Sequence, residues 1–177
     1  MSPCFPDTPH VYLPAVEPIS APNRWISTLE AQEGLQQIRS DDKTAWQELV
    51  AQMQRYARLG AKLNDPDLKA PVGQQFTPRL DGPQPWLGEL IRSGSVLGKR
   101  VGEGAAQYRL YFTDVEDQAG QPPAQMLAGD CSQKWISNES GDEAKVLHRQ
   151  DDDMEAAMRT IIYWCGVHRR GYRHAAE

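Results

Sequence analysis

Gln107-Tyr108-Arg109-Leu110-Tyr111-Phe112-Thr113-Asp114-Val115 decides how the chain folds. Tyr108, Leu110 and Phe112 fall on one face, and Arg109, Tyr111 and Thr113 on the other, which is the period of a half-buried strand. The density of aromatic side chains suits a pleated surface. Arg109 stands mid-strand on the polar face, between two bulky neighbours. A guanidinium keeps its charge, so it needs a carboxylate, backbone carbonyls or an anionic ligand. Two roles stay open for it: a structural cation paired with an acid such as Glu89 on a neighbouring strand, and an exposed cation offered to a phosphate.

Working outward, Leu87-Gly88-Glu89-Leu90-Ile91-Arg92, Ser95 to Val101 and Ala124 to Gly129 read as further strands. Turns at Gly102-Glu103-Gly104 and Gln118 to Pro123 favour an antiparallel meander. Upstream, Ser27 with Glu30 matches a capping box and Ile26 a hydrophobic staple, opening a helix over residues 28–39. Leu29, Leu35 and Ile38 are its stripe, with Gly34 as its weak point. Ser40-Asp41-Asp42 caps a second helix whose Trp46, Leu49, Val50, Met53, Tyr56 and Ala57 recur at helical spacing. Downstream, Asp151-Asp152-Asp153 places acid at the positive end of a last helix. Met154, Met158, Ile161, Ile162 and Cys165 form its apolar stripe, and the basic tail His168 to His174 follows.

The expected fold is therefore α+β: an N-terminal αα-hairpin packed on an antiparallel sheet, with a C-terminal helix. Prolines 3, 6, 9, 14, 18 and 22 mark residues 1–23 as an extended arm, and residues 24–177 as a single domain. Within it, residues 64–85 read as a Pro-rich connector, with a short strand near Gln75-Phe76-Thr77 and a mobile segment as the two alternatives, and residues 137–150 as a polar insertion.

Composition narrows function. A chain of 177 residues with 40% hydrophobic content supports one core. Mean hydropathy is −0.63, and no apolar run is long enough to span a bilayer, so no membrane partner is expected. Met1 to Pro6 lacks the basic and apolar parts of a secretion signal, and three cysteines without CxxC spacing suit a reducing cytoplasm. The net charge of −5 argues against a generally sticky nucleic-acid binder. A local basic face remains open, because Arg92, Lys99, Arg100 and Arg109 are accompanied by Glu103 alone, and the tail adds three arginines. Phosphate-loop and zinc-protease motifs are missing, and the Asp151 to Asp153 run reads as helix capping, so neither cofactor nor metal is expected.

Four stretches in order resemble the RelE/ParE toxin superfamily, most nearly its HigB and phage-derived killer-protein branch. They are Leu87 to Arg92, the Tyr108-Arg109-Leu110-Tyr111-Phe112 strand, Met126 to Lys134 with its Gly129-Asp130-Cys131-Ser132-Gln133-Lys134 ending, and the acid-started helix from Asp152 to Arg170. Arg24-Trp25-Ile26-Ser27-Thr28-Leu29 is similar to the Trp-containing start of that family's first helix. The resemblance implies a cytoplasmic bacterial or phage toxin of a toxin–antitoxin system, with ribosome-dependent mRNA cleavage as its activity. Its partners would be a cognate antitoxin and the ribosome with mRNA. Attack by a ribose 2′-OH on phosphorus needs cations on the phosphate and groups that move protons. The resemblance assigns Arg109 to the phosphate charge and Tyr172, His168 or His174 to proton transfer or base stacking. It assigns Lys99, Arg100, Lys134, Arg169, Arg170 and Arg173 to RNA binding. Two alternatives stand beside it: a ParE-like inhibitor of DNA gyrase without nuclease activity, and a phage or immunity-type interaction protein using acidic loops 114–117 and 139–143.

Overall fold

The computed structural model describes residues 24–59, 67–93, 105–116, 123–136 and 143–175. Strand β1 (Arg24–Ser27) is followed by helices α1 (Leu29–Asp41) and α2 (Lys43–Leu59). Strands β2 (Leu68–Lys69), β3 (Gly88–Ser93), β4 (Ala105–Glu116) and β5 (Pro123–Ile136) precede helix α3 (Glu143–His168). The strands form one sheet in the order β1-β5-β4-β3-β2. The meander from β2 to β5 is antiparallel, as expected, but β1 lies parallel to β5, pairing Arg24 with Gln125 and Ser27 with Ala128. The sheet is therefore mixed. The hairpin, the strands expected at 87–92, 107–115 and 124–129 and the closing helix are present.

Trp25-Ile26-Ser27 does not begin the first helix, as the resemblance implies, but supplies this parallel edge strand. Its alternation is too short to announce itself. Trp25 packs with the α1–α2 side of the core and Ile26 with the α3 side. The N-cap falls one residue later, at Thr28, whose hydroxyl oxygen accepts from the Ala31 amide at 3.2 Å and donates to the Gly129 carbonyl at 2.8 Å. Such a cap contributes about 1 kcal/mol. Asp42 caps α2 as expected, accepting from the Ala45 amide at 3.0 Å.

The sheet is covered on both sides. Ala31, Ile38, Ala45, Leu49, Met53 and Tyr56 of the hairpin pack on Leu90, Tyr108, Leu110, Phe112, Met126 and Ala128. Met154, Ala157, Met158, Ile161 and Cys165 of α3 pack on Leu87, Tyr111, Val115 and Leu127. The expected half-buried strand is thus corrected: the Arg109, Tyr111 and Thr113 face of β4 is buried beneath α3. Glycine makes the close packing of β5 possible. A methyl group on Gly34 would stand 2.1 Å from the Cys131 carbonyl oxygen under α1, and one on Gly129 would stand 2.7 Å from Ile161 of α3.

The insertions differ from expectation too. Residues 143–150 belong to α3, which starts eight residues before the acidic triplet, so Asp151 to Asp153 lie inside the helix rather than capping it. Gln75 to Thr77 form part of a 3-10 helix (Gln74–Arg79) instead of a strand, and Phe76 is buried against the α3 side of the core. The expected arm at 1–23, the strand at 95–101 and the glycine turn at 102–104 lie outside the described residues.

Candidate functional site

Arg109 meets an acid, not solvent. It is 4% exposed and forms an ion pair with Glu89, which is wholly buried. The register explains the meeting: Ile91 stands opposite Arg109 and Glu89 opposite Tyr111, so Glu89 is a diagonal cross-strand neighbour on the same face. A second guanidinium nitrogen donates to Gln107 Oε1 at 3.0 Å. Around the pair lie Tyr111, Ser132, Asp130 and Asp153 of α3, with the Ser132 hydroxyl donating to Asp153 at 3.0 Å. Burial pushes the Tyr111 phenol up, with Glu89 adding to the effect, so it stays protonated. Burial likewise raises Asp130 to about 6, against a hydrogen bond from the Cys131 amide, with Asp153 and Glu30 adding to the rise. Asp153 is raised by burial as well, and its bond from Ser132 opposes the rise. Arg109 is therefore flanked by the Glu89 and Asp153 carboxylates rather than held open as a phosphate cradle.

The tail is equally built in. Tyr172 and Arg173 are each 1% exposed. Tyr172 bridges to Val115 and His174 to Pro85, while the Trp86 amide donates to the Arg173 carbonyl at 2.8 Å and the Arg173 amide to the Asp114 carbonyl at 2.9 Å. The Arg173 side chain pairs with Asp114 at 3.1 Å and lies 4.1 Å over the Trp86 ring. Burial lifts Asp114 to about 6 even with Arg173 beside it. The Tyr172 hydroxyl donates to the Pro83 carbonyl at 2.7 Å, and burial raises its pKa, which leaves it no basic form near neutrality. Residues 172–174 thus form a strap along the end of the sheet. Arg173 and Tyr172, assigned to RNA and to proton transfer, are buried and held by contacts within the fold.

The remaining candidates divide by place. His168 and Arg169 are exposed at the end of α3, while Arg170 and His174 are half-buried. These residues are not brought together with Arg109, which lies beside Asp153, about four turns back along α3 from His168. Lys134 lies in β5 opposite Gln107, and Lys99 and Arg100 lie outside the described residues. Among the described residues, no group of three or more His, Cys, Asp or Glu side chains is arranged to hold a metal.

One open groove collects residues that the strand alternation did not single out. Arg24, Trp25, Ile26, Gln125, Trp164, His168 and Arg170 line a space of about 520 Å³ between the β1 edge and the end of α3. Trp164 and His168, four residues apart on the helix, stack with ring centroids 4.0 Å apart and planes at 16°. His168 Nδ1 lies 2.8 Å from the Trp164 carbonyl oxygen, which holds the imidazole in place. The helix ends just beyond, where the Arg170 amide reaches the Cys165 carbonyl at 2.9 Å and the Arg169 amide reaches the Gly166 carbonyl at 3.4 Å. This double closure puts Arg169 at φ 52°, a position that glycine usually fills. The i, i+4 spacing of Trp164 and His168 was a signal in the sequence. The approach of Arg24 was not, because it depends on β1 pairing with β5. No family description, curated protein or solved structure matches the chain.

Proposed function

We propose that this protein is a toxin-type inhibitor of RelE/ParE-like architecture that acts by binding a macromolecular target rather than by cutting RNA. The observation that carries this is the Glu89–Arg109 pair: the cation needed at a phosphate is already neutralised inside the fold. Tyr172 and Arg173 support the same reading, because both are held in the strap. DNA gyrase is the target that the resemblance offers for a non-cleaving member, and a cognate antitoxin would be the natural partner. The order of hairpin, antiparallel strands and final helix is compatible with that scaffold.

Ribosome-dependent mRNA cleavage is the second reading. The exposed His168 beside Arg170 in a cationic groove favours it, with chemistry centred there and not on Arg109. Induced expression in bacteria separates the two. A variant carrying both Arg109→Met and Glu89→Leu removes the charges as a pair, so that neither is left buried alone. Growth arrest that persists in this folded variant, with mRNA 5′ ends unchanged and gyrase supercoiling inhibited, is the expected result. New mRNA 5′ ends that vanish in His168→Ala would establish cleavage. Loss of arrest in the folded double variant would return Arg109 to a functional role, and harmless expression of the native protein would remove the toxin reading.

A further inference from the structure

The groove at the β1 edge has a chemical character unlike the rest of the molecule. The chain carries 24 acidic and 19 basic residues, yet the described residues lining this groove include Arg24, Arg170 and His168 and no carboxylate. Alternation along β1 sets Arg24 on the same side as Ile26, which packs with the α3 core. Gln125, opposite Arg24 in the parallel register, has the same parity as Leu127, also in that core. The parallel pairing therefore delivers Arg24 toward the end of α3, where the closure of the helix brings Arg170. Two guanidinium groups approach one space from different elements.

The aromatic part is organised before any ligand arrives. The Trp164–His168 stack is a nearly parallel pair, and the imidazole is tied back to the helix carbonyl. Trp25 takes no part in this stack, because its ring lies on the α1–α2 face of the sheet, where its indole nitrogen donates to the Met53 carbonyl at 2.6 Å. Tyr163 and Val167 extend the aromatic and apolar surface of the last helical turns, at 56% and 55% exposure. Fixed rings lose little freedom when a flat ligand joins them. The volume lies in the range of small-ligand sites.

We propose that this groove binds a nucleotide, with its base continuing the Trp164–His168 stack and its phosphate held by Arg24 and Arg170. Stacking on aromatic side chains is tolerant of base identity, and paired guanidinium donors match phosphate oxygens. Arg24 and Arg170 also engage other groups of the protein, and the five N–H donors of an arginine leave room for both duties. Arg169, exposed at its left-handed position beside the groove, adds positive charge without lining it. The ligand is either a free nucleotide or the end of a single strand, and both present the same ring and phosphate. The site stands independently of growth inhibition.

The test is calorimetric titration of the full chain with AMP and, separately, with a 5′-phosphorylated oligoadenylate. It uses the native protein, Arg24→Ala, Arg170→Ala and, as a control, Arg159→Ala, whose partner Glu155 lies on α3 itself. Circular dichroism confirms that each variant is folded. Saturable binding is expected, weakened about tenfold or more by either groove variant and unchanged by the control. Binding of AMP alone would identify a free nucleotide as ligand, tighter binding of the oligonucleotide would identify a strand end, and equal affinity would support the site for both. Failure of both to bind at millimolar concentration, or binding indifferent to Arg24→Ala and Arg170→Ala, would overturn the proposal.

Discussion

At the scale of the residue, Arg109 shows how one buried charge dictates its surroundings. Glu89 answers it, while the second Glu89 carboxylate oxygen, Arg109 Nε and the Tyr111 hydroxyl find no hydrogen-bond partner. Removing one member leaves the other buried and uncompensated, which costs about 3–5 kcal/mol, whereas replacing both by apolar groups is close to neutral. Arg109→Met should therefore lower the urea midpoint sharply, and adding Glu89→Leu should restore most of the loss. An equal or larger loss in the double variant would show that the pair is a net stabiliser. Arg169 makes the opposite case. Its left-handed backbone costs about 1 kcal/mol for a residue with a Cβ. Arg169→Gly should raise stability by about that amount while removing charge near the groove, and thermal unfolding would show an unchanged or lower midpoint if the strain were relieved elsewhere.

At the scale of the element, β5 is gripped from both sides because Gly34 of α1 and its own Gly129 carry no side chain at the points of closest approach. Helix propensity alone favours Gly34→Ala by about 1 kcal/mol. Contact with the Cys131 carbonyl reverses that sign, because α1 must move away from the sheet, and overpacking of this kind costs about 1–3 kcal/mol. Denaturant unfolding of Gly34→Ala should accordingly show a net loss; a gain would mean that α1 slides freely over β5. The helices were largely legible in the sequence, since Leu49, Met53 and Tyr56 recur at helical spacing and are buried as a stripe. The start of α3 was not: Val146 and Leu147 stand among charged and polar residues, directly after Asn138-Glu139-Ser140-Gly141-Asp142, so the pattern resembled a loop. The tail misled for a related reason. His168 to His174 are rich in charge, but Arg173 gains a buried carboxylate and an aromatic face that only the fold supplies. Truncation within this strap tests stability before it tests function.

At the scale of the whole molecule, raised carboxylates make stability depend on acidity. Folded Asp130 holds its proton up to about pH 6, against an ordinary value of 3.8. The folded state thus binds more protons than the unfolded chain across that window, so this contribution is complete at low pH and declines as pH rises through about 6. Two units correspond to roughly 3 kcal/mol at most, by linkage. Asp130→Asn removes the titration while keeping an oxygen for the Cys131 amide. The variant should gain stability over the native protein at pH 7.5 and little at pH 4.5, as read from urea midpoints; an equal effect at both values would exclude Asp130 as the source.

What the sequence by itself determined is local: the alternation of β4, the apolar stripes of the helices, the acid at Asp42 that caps α2, and the need of Arg109 for a partner, with Glu89 among those foreseen. These follow from periodicity and from hydrogen-bonding and charge rules that act over a few residues. The tertiary structure alone decided that both faces of β4 are covered, that β1 pairs parallel with β5, and that Arg24 meets Trp164, His168 and Arg170 across more than a hundred residues. A strand of four residues has too little pattern to declare its partner, and burial of a polar face depends on what packs over it. For that reason the residue that stood out in the sequence became part of the interior, and the open groove emerged from residues that only the sheet order brings together.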